Sequence, residues 1–396
     1  MAAPRVRLGL DRVVEDPALV KGRRIAVLAN QASATADLES GWRALARAGA
    51  EVVRIFAPEH GLWGVAQDME TVGEEREPEL GVPVESLYGS TPATLTPQAE
   101  HVAGLDALVV DLPDIGCRYY TFAATMAHAM AACERSGVEV IVCDRPNPVG
   151  GLAIEGGPVE QGCRSFVSEV PVPVRHGMTL GELALLLRSS RHPALALSVV
   201  TCEGWRRDQW WDDTALPWVA PSPNMPSLTT AAVYPGACLV EATNLSEGRG
   251  TTRPFQLVGA PWLDSDAVAA RLDGMELPGA RFRPTRFRPE FGKHAGAVCS
   301  GVEWHVTDRR AMRPLEIGIR LLAAVRALHA GEFAWRREAY EFVSGVPAID
   351  LLTGSSAARE VIEGRGPEAP MLDGWRAYCE AFRASRAEFL LYPEQR

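Results

Sequence analysis

No stretch of this sequence reaches the ~18 consecutive apolar residues that a membrane-spanning helix needs. The first strand-like run is not followed by the glycines of a dinucleotide fingerprint, and no Walker A pattern occurs. No nicotinamide or nucleotide cofactor is therefore expected. Positive charge is also short: 40 Lys and Arg stand against 50 Asp and Glu, a formal net charge of −10. Such a chain repels phosphate backbones and anionic lipids, so neither nucleic acid nor a membrane surface is an expected partner. The eight cysteines form no CxxC pair and share no zinc spacing with histidine. They read as reduced core residues, and no metal site is expected. Arg5, Arg7, Asp11, Arg12, Glu15, Asp16 and Lys21 break up any apolar leader segment near the start. A cytoplasmic location is the expectation, unless a leader has been removed.

What is present is ordinary globular composition, 47% hydrophobic and 23% charged over 396 residues. This supports a sizeable core and two or three domains. The first 145 residues alternate strand and helix signals. Ile25–Leu28, Val52–Phe56, Ala107–Val110 and Glu139–Cys143 are short apolar runs. Leu38, Trp42 and Leu45 recur at helical spacing, and a small-residue helix is expected over 123–136. The order predicts a Rossmann-like parallel sheet flanked by helices. Ligands of such sheets bind beyond the carboxyl ends of the strands.

From about residue 150 the pattern changes. Thr179 and Glu182 fit a capping box opening a helix, and Ser198–Thr201 reads as another strand. The proline-rich run 220–226 prohibits regular structure, so a boundary is placed near 228. The expected division is a Rossmann-like domain over 1–228 and a smaller α+β domain over 229–396. In the latter, Pro314 suits a helix start, and Trp375, Tyr378 and Phe382 mark a last helix.

The strand ends carry the candidate chemistry. Glu59 and His60 lie between Pro58 and Gly61, immediately after the second strand. Proline and glycine around a carboxylate hold it rigidly, and a carboxyl in a partly buried place can act as a proton donor near neutral pH. A capping or salt-bridged role is equally open at this point. Asp111 and Asp114 bracket the next loop, followed by Arg118, Tyr119 and Tyr120. They suit sugar hydroxyls, a second catalytic carboxylate, or an ordinary Asx turn with an arginine pair. Asp144 and Asn147 follow the fourth strand, and Arg175 and His176 precede the capped helix. The densest polar run, 241–253, holds Glu241, Asn244, Glu247, Arg249 and Arg253, with glycines that let backbone approach a ligand.

Five stretches carry a resemblance: FAPEHG at 56–61, DRPNPVGG at 144–151, RHGMTLGELA at 175–184, PSPNMP at 221–226 and the run from Tyr234 to Trp262. Together they span most of the chain, and in these the sequence resembles the exo-acting β-N-acetylmuramidases. The resemblance implies a Rossmann-like domain, a smaller C-terminal domain and a catalytic cleft between them. It places the essential glutamate at Glu59. Two departures are visible: the third-strand loop reads DLPDIGCRYYTF, where a glutamine near Pro113 and an alanine at Cys117 are expected, and no leader is seen although family members are often exported.

The implied activity is release of N-acetylmuramic acid from the non-reducing ends of peptidoglycan fragments, without a cofactor. Glu59 is the expected general acid. Glu241, Glu247 and Asp111 are candidates for the second acid, which orients the acetamido group or activates water. An arginine fork among Arg118, Arg175, Arg249 and Arg253 would meet the lactyl carboxylate. His60, Asp114, Tyr119, Asp144, Asn147, His176, Asn224 and Asn244 complete the candidate sugar contacts. Rival readings are a muropeptide-binding protein without catalysis and a metal-dependent hydrolase using His60, Asp111 and Asp114. A homo-oligomer is compatible with the sequence.

Overall fold

The computed structural model describes residues 5–67, 70 and 75–395. The chain forms two compact units that interlace along the sequence. The first comprises residues 1–153, 176–223 and 383–396, and the second 154–175 and 224–382. The chain passes between the units near residues 153, 175, 223 and 382. The segment after the fourth strand loop joins the second unit, and the C-terminal residues return to the first.

The first unit holds a seven-stranded sheet. Its strands are β1 (Arg24–Ala29), β2 (Glu51–Ala57), β3 (Glu75–Arg76), β4 (Pro83–Ser86), β5 (Ala107–Asp111), β6 (Glu139–Cys143) and β7 (Leu197–Val200). The spatial order is β3-β4-β2-β1-β5-β6-β7. Every pairing is parallel except β3 with β4. The four apolar runs seen in the sequence become β1, β2, β5 and β6, buried because helices cover a parallel sheet on both faces. Ile25, Val27, Ile55, Val109 and Ile141 from these strands join Trp42 and Leu45 in one core cluster. Chain order reverses about β1, which pairs with β2 on one side and β5 on the other. That is the switch point at which doubly wound sheets place their ligands.

The helix read from Leu38, Trp42 and Leu45 begins later than the periodicity suggested, at Gly41. Leu38 precedes it with φ +69° and is 58% exposed. The helix Phe122–Ser136 ends at Gly137 in the left-handed conformation that glycine adopts without penalty. The Thr179–Glu182 capping box is formed: the Glu182 amide donates to Thr179 Oγ1 at 3.2 Å, and the Thr179 amide to Glu182 Oε2 at 3.0 Å.

The second unit is α+β. Strands β8 (Leu257–Ala260), β9 (Ala280–Phe287) and β10 (Cys299–Val306) make an antiparallel sheet in the order β8-β10-β9. Helices Leu228–Ala237 and Pro314–Leu328 pack against each other through glycine. A Cβ on Gly236 would lie 1.8 Å from the Pro314 carbonyl oxygen, and one on Gly318 would lie 2.3 Å from that of Gly236. Backbone cannot yield there as a side-chain tip can. Among the described residues no helix is long and apolar enough to cross a membrane.

The contact generates a stability prediction. Gly236→Ala must push two helices apart and is expected to cost about 1–3 kcal/mol, as overpacking commonly does. Chemical denaturation of the variant would show this as a lower midpoint with an unchanged slope.

Candidate active site

At the end of β2 the chain enters a tight turn. The Gly61 amide donates to the Pro58 carbonyl at 3.0 Å, with φ of +73° at His60 and +78° at Gly61. The residue in the left-handed region is therefore His60 itself as well as the glycine after it. For a residue with a Cβ this conformation costs roughly 1–2 kcal/mol, and such strain gathers at functional positions. The surrounding loop fixes it: His60 Nδ1 lies 3.0 Å from the Ala66 carbonyl oxygen, and the Ala66 amide donates to the His60 carbonyl at 3.4 Å.

Glu59 occupies the second position of that turn and is only 6% exposed. Its Oε2 accepts a hydrogen bond of 2.8 Å from Thr121 Oγ1. Thr121 stands immediately before the helix Phe122–Ser136, where a threonine commonly caps the first amides. Its hydroxyl makes no cap and goes to Glu59 instead. Sequence reasoning missed Thr121; a threonine ahead of an apolar helix was the available signal, and it suggested capping.

Asp111 ends β5 and is fully buried. Arg145 closes both of its oxygens, Nε to Oδ1 at 2.6 Å and Nη2 to Oδ2 at 2.8 Å. Burial pushes the Asp111 carboxyl up, against the pull of that guanidinium. Arg145 Nη2 also donates to the Ala34 carbonyl at 2.8 Å. One arginine thus joins the loops after β1, β5 and β6. Both oxygens of Asp111, expected as a candidate second acid, are engaged by this clamp.

Asp144 is likewise withdrawn from solvent. It accepts from Thr179 Oγ1 at 2.7 Å, Tyr392 OH at 2.6 Å, the Gly181 amide at 2.8 Å and the Arg145 amide at 3.0 Å. Burial raises its carboxyl to about 6 against those donors. Asn147 spends its amide on the Met178 carbonyl and the Val149 amide. Both residues, expected as candidate sugar contacts, are engaged in hydrogen bonds that hold loops. Asp114 and His176 are brought together, with Nε2 3.7 Å from Oδ2. Arg118 and Tyr119 are buried beside them in sequence, on the same β5 loop.

The remaining candidates belong to the second unit. Glu241 accepts from Arg249 Nη2 at 2.8 Å and Tyr340 OH at 2.7 Å. Glu247 is 3.4 Å from Arg249 Nε and 3.0 Å from Lys293 Nζ. Lys293 also donates to the carbonyls of Val240, Glu241 and Leu245 at 3.0–3.3 Å. The polar run 241–253 is therefore a cross-linked knot, with Gly248 and Gly250 at positive φ. Tyr340 and Lys293 were not foreseen, since Lys293 lies 46 residues from Glu247 and Tyr340 lies 99 from Glu241 in the chain. Arg175 pairs with Glu155 at 3.1 Å, and Arg253 pairs with Glu303 beside Arg283. The Asn244 side chain pins the 332–334 segment through Glu332 and Ala334, while Asn224 is buried. Among the described residues no three His, Cys, Asp or Glu side chains are grouped to hold one metal ion.

Comparison with known proteins finds similar chains. Residues 25–229 match the model of the N-terminal part of the exo-β-N-acetylmuramidase NamZ, and residues 232–392 match that of its C-terminal part. The chain is 38% identical to the peptidoglycan β-N-acetylmuramidase NamZ of Bacillus subtilis (strain 168), over 98% of this chain and 92% of that protein. Two crystal structures of DUF1343 family proteins from Bacteroides fragilis are also similar. One has a TM-score of 0.88 at 32% identity, covering 98% of this chain and 99% of that one. The other has a TM-score of 0.75 at 28% identity, covering 99% and 100%. On these matches across nearly its whole length, the chain belongs to the exo-β-N-acetylmuramidase NamZ family.

Proposed function

We propose that this protein is an exo-acting glycoside hydrolase that releases N-acetylmuramic acid from the non-reducing ends of peptidoglycan fragments, with Glu59 as its general acid. The observation that carries the reading is a buried carboxyl in a strained turn at the carboxyl edge of the sheet, fixed by Thr121. The Thr121 hydroxyl donates to Oε2 and fixes the carboxyl that is to deliver the proton. Delivering it to the glycosidic oxygen lets the C1–O bond break without expelling an alkoxide. A desolvated, immobilised acid does this at little reorganisation cost.

The lactyl carboxylate of the sugar calls for a guanidinium. Arg118, Arg175, Arg249 and Arg253 are the candidates. Arg253 has the most exposed side chain of the three in ion pairs, 54% against 10% for Arg249 and 4% for Arg175. Of the acids in the second unit, Glu241 and Glu247 are each held by two cationic or phenolic partners.

Glu59→Gln keeps the shape and removes the proton. Its turnover of a 4-nitrophenyl N-acetylmuramoyl glycoside is expected to fall at least ~10²-fold. Near-normal release of nitrophenol would exclude Glu59 as the acid. Thr121→Val removes the hydrogen bond that aims the carboxyl. A loss of about tenfold in kcat is expected, from the ~1.4 kcal/mol scale of one such bond, with KM little changed. An unaltered kcat in steady-state assays would show that Glu59 needs no such support.

A further inference from the structure

One acid at the same sheet edge stands apart from the ion-paired ones. Asp114 lies in the loop after β5, its side chain 7% exposed. Oδ2 accepts the Gly116 amide at 2.7 Å, whereas the buried Oδ1 has no hydrogen-bond partner. His176 is fully buried, and its Nε2, likewise without a hydrogen-bond partner, stands 3.7 Å from Oδ2. Its Nδ1 accepts the Met178 amide at 3.1 Å. The ring proton of the neutral imidazole is thereby assigned to Nε2, on the side of Asp114.

An unfilled acceptor beside an unfilled donor, both sealed from water, is costly unless a ligand group completes it. The charged and titratable neighbours fix its state. Cys117 and Arg118 share the loop, Arg207 follows β7, and Arg386 on the last helix donates to the His176 carbonyl at 2.7 Å. Burial and these three arginines lower His176 to about 3, so it stays neutral. Burial raises Asp114 to about 7, against the pull of the Gly116 and Ile115 amides. Asp111 and Asp144, by contrast, are already saturated with donors.

We propose that Asp114 receives the N–H of the substrate's 2-acetamido group, with His176 as its positioning residue. The inference rests on the muramidase reading above and identifies its second acid. In the first step Glu59 gives its proton to the leaving oxygen, and the C1–O pair departs with that oxygen. The acetamido carbonyl oxygen bonds to C1 while the N–H proton passes to Asp114, leaving a neutral oxazoline. In the second step the Glu59 carboxylate takes a proton from water as the water oxygen bonds to C1. The oxazoline C–O bond breaks, and nitrogen recovers its proton from Asp114. Atoms and charge balance, and both acids end as they began.

The acceptor must be ionised, so kcat/KM should rise with pH through a limb near 7 that belongs to Asp114. The test is steady-state kinetics of the full-length protein on the 4-nitrophenyl N-acetylmuramoyl glycoside and its 2-hydroxy analogue. Asp114→Asn should lose at least ~10²-fold in kcat with KM within a few-fold. It should lose the limb near 7 and no longer prefer the acetamido substrate. Asp114→Glu should restore part of the rate, and His176→Gln should displace the limb without abolishing it. Should Asp114→Asn fail to fold, the wild-type profiles decide: the limb must appear with the acetamido substrate and vanish with the 2-hydroxy one. A variant that keeps both limb and preference overturns the proposal, as does a wild-type limb shared by both substrates. Glu59→Gln separates the two readings. If it is inactive while Asp114→Asn is normal, only the role of Asp114 fails; if it is active, the role of Glu59 fails.

Discussion

The edge of the seven-stranded sheet depends on one buried guanidinium. Arg145 binds Asp111 with two parallel hydrogen bonds and the Ala34 carbonyl with a third. Three loops that leave neighbouring strands are thereby held to one point. A buried pair of this kind gains little net stability over apolar packing, because desolvation offsets its attraction. Its value is geometric: a planar fork fixes distance and direction together. The β5 loop anchored at Asp111 is the loop that carries Asp114 and, ten residues on from the clamp, Thr121, which reaches Glu59.

Four carboxyl groups at this edge show how environment assigns work to a common side chain. Asp111 faces a guanidinium, and Asp144 faces two hydroxyls and two amides. Both are consumed by structure. Glu59 sits in a turn whose strained His60 is braced at Ala66. Asp114 is desolvated, keeps an unfilled oxygen, and is raised to about 7. In the second unit the same logic yields the opposite result. Arg249, Lys293 and Tyr340 fill the oxygens of Glu241 and Glu247 and turn a ligand-like motif into a rigid knot.

Much of the first unit was legible because local and tertiary demands agree there. Buried parallel strands are continuous apolar runs, so β1, β2, β5 and β6 stand out, as does the capping box at Thr179 and Glu182. Strand β9 did not, since its arginines look outward and a proline interrupts its alternation. The interlaced units were also invisible, because nothing local marks where residues 154–175 pack.

The sequence by itself determined the strand order along the chain, the family and the place of Glu59, since each is written in contiguous residues whose local physics is self-sufficient. Tertiary structure alone decided which groups each acid meets. Thr121 meets Glu59, Arg145 meets Asp111 and His176 meets Asp114 across gaps of 34 to 62 residues. A carboxyl's solvation and partners are properties of the space around it, and folding brings that space together from distant parts of the chain.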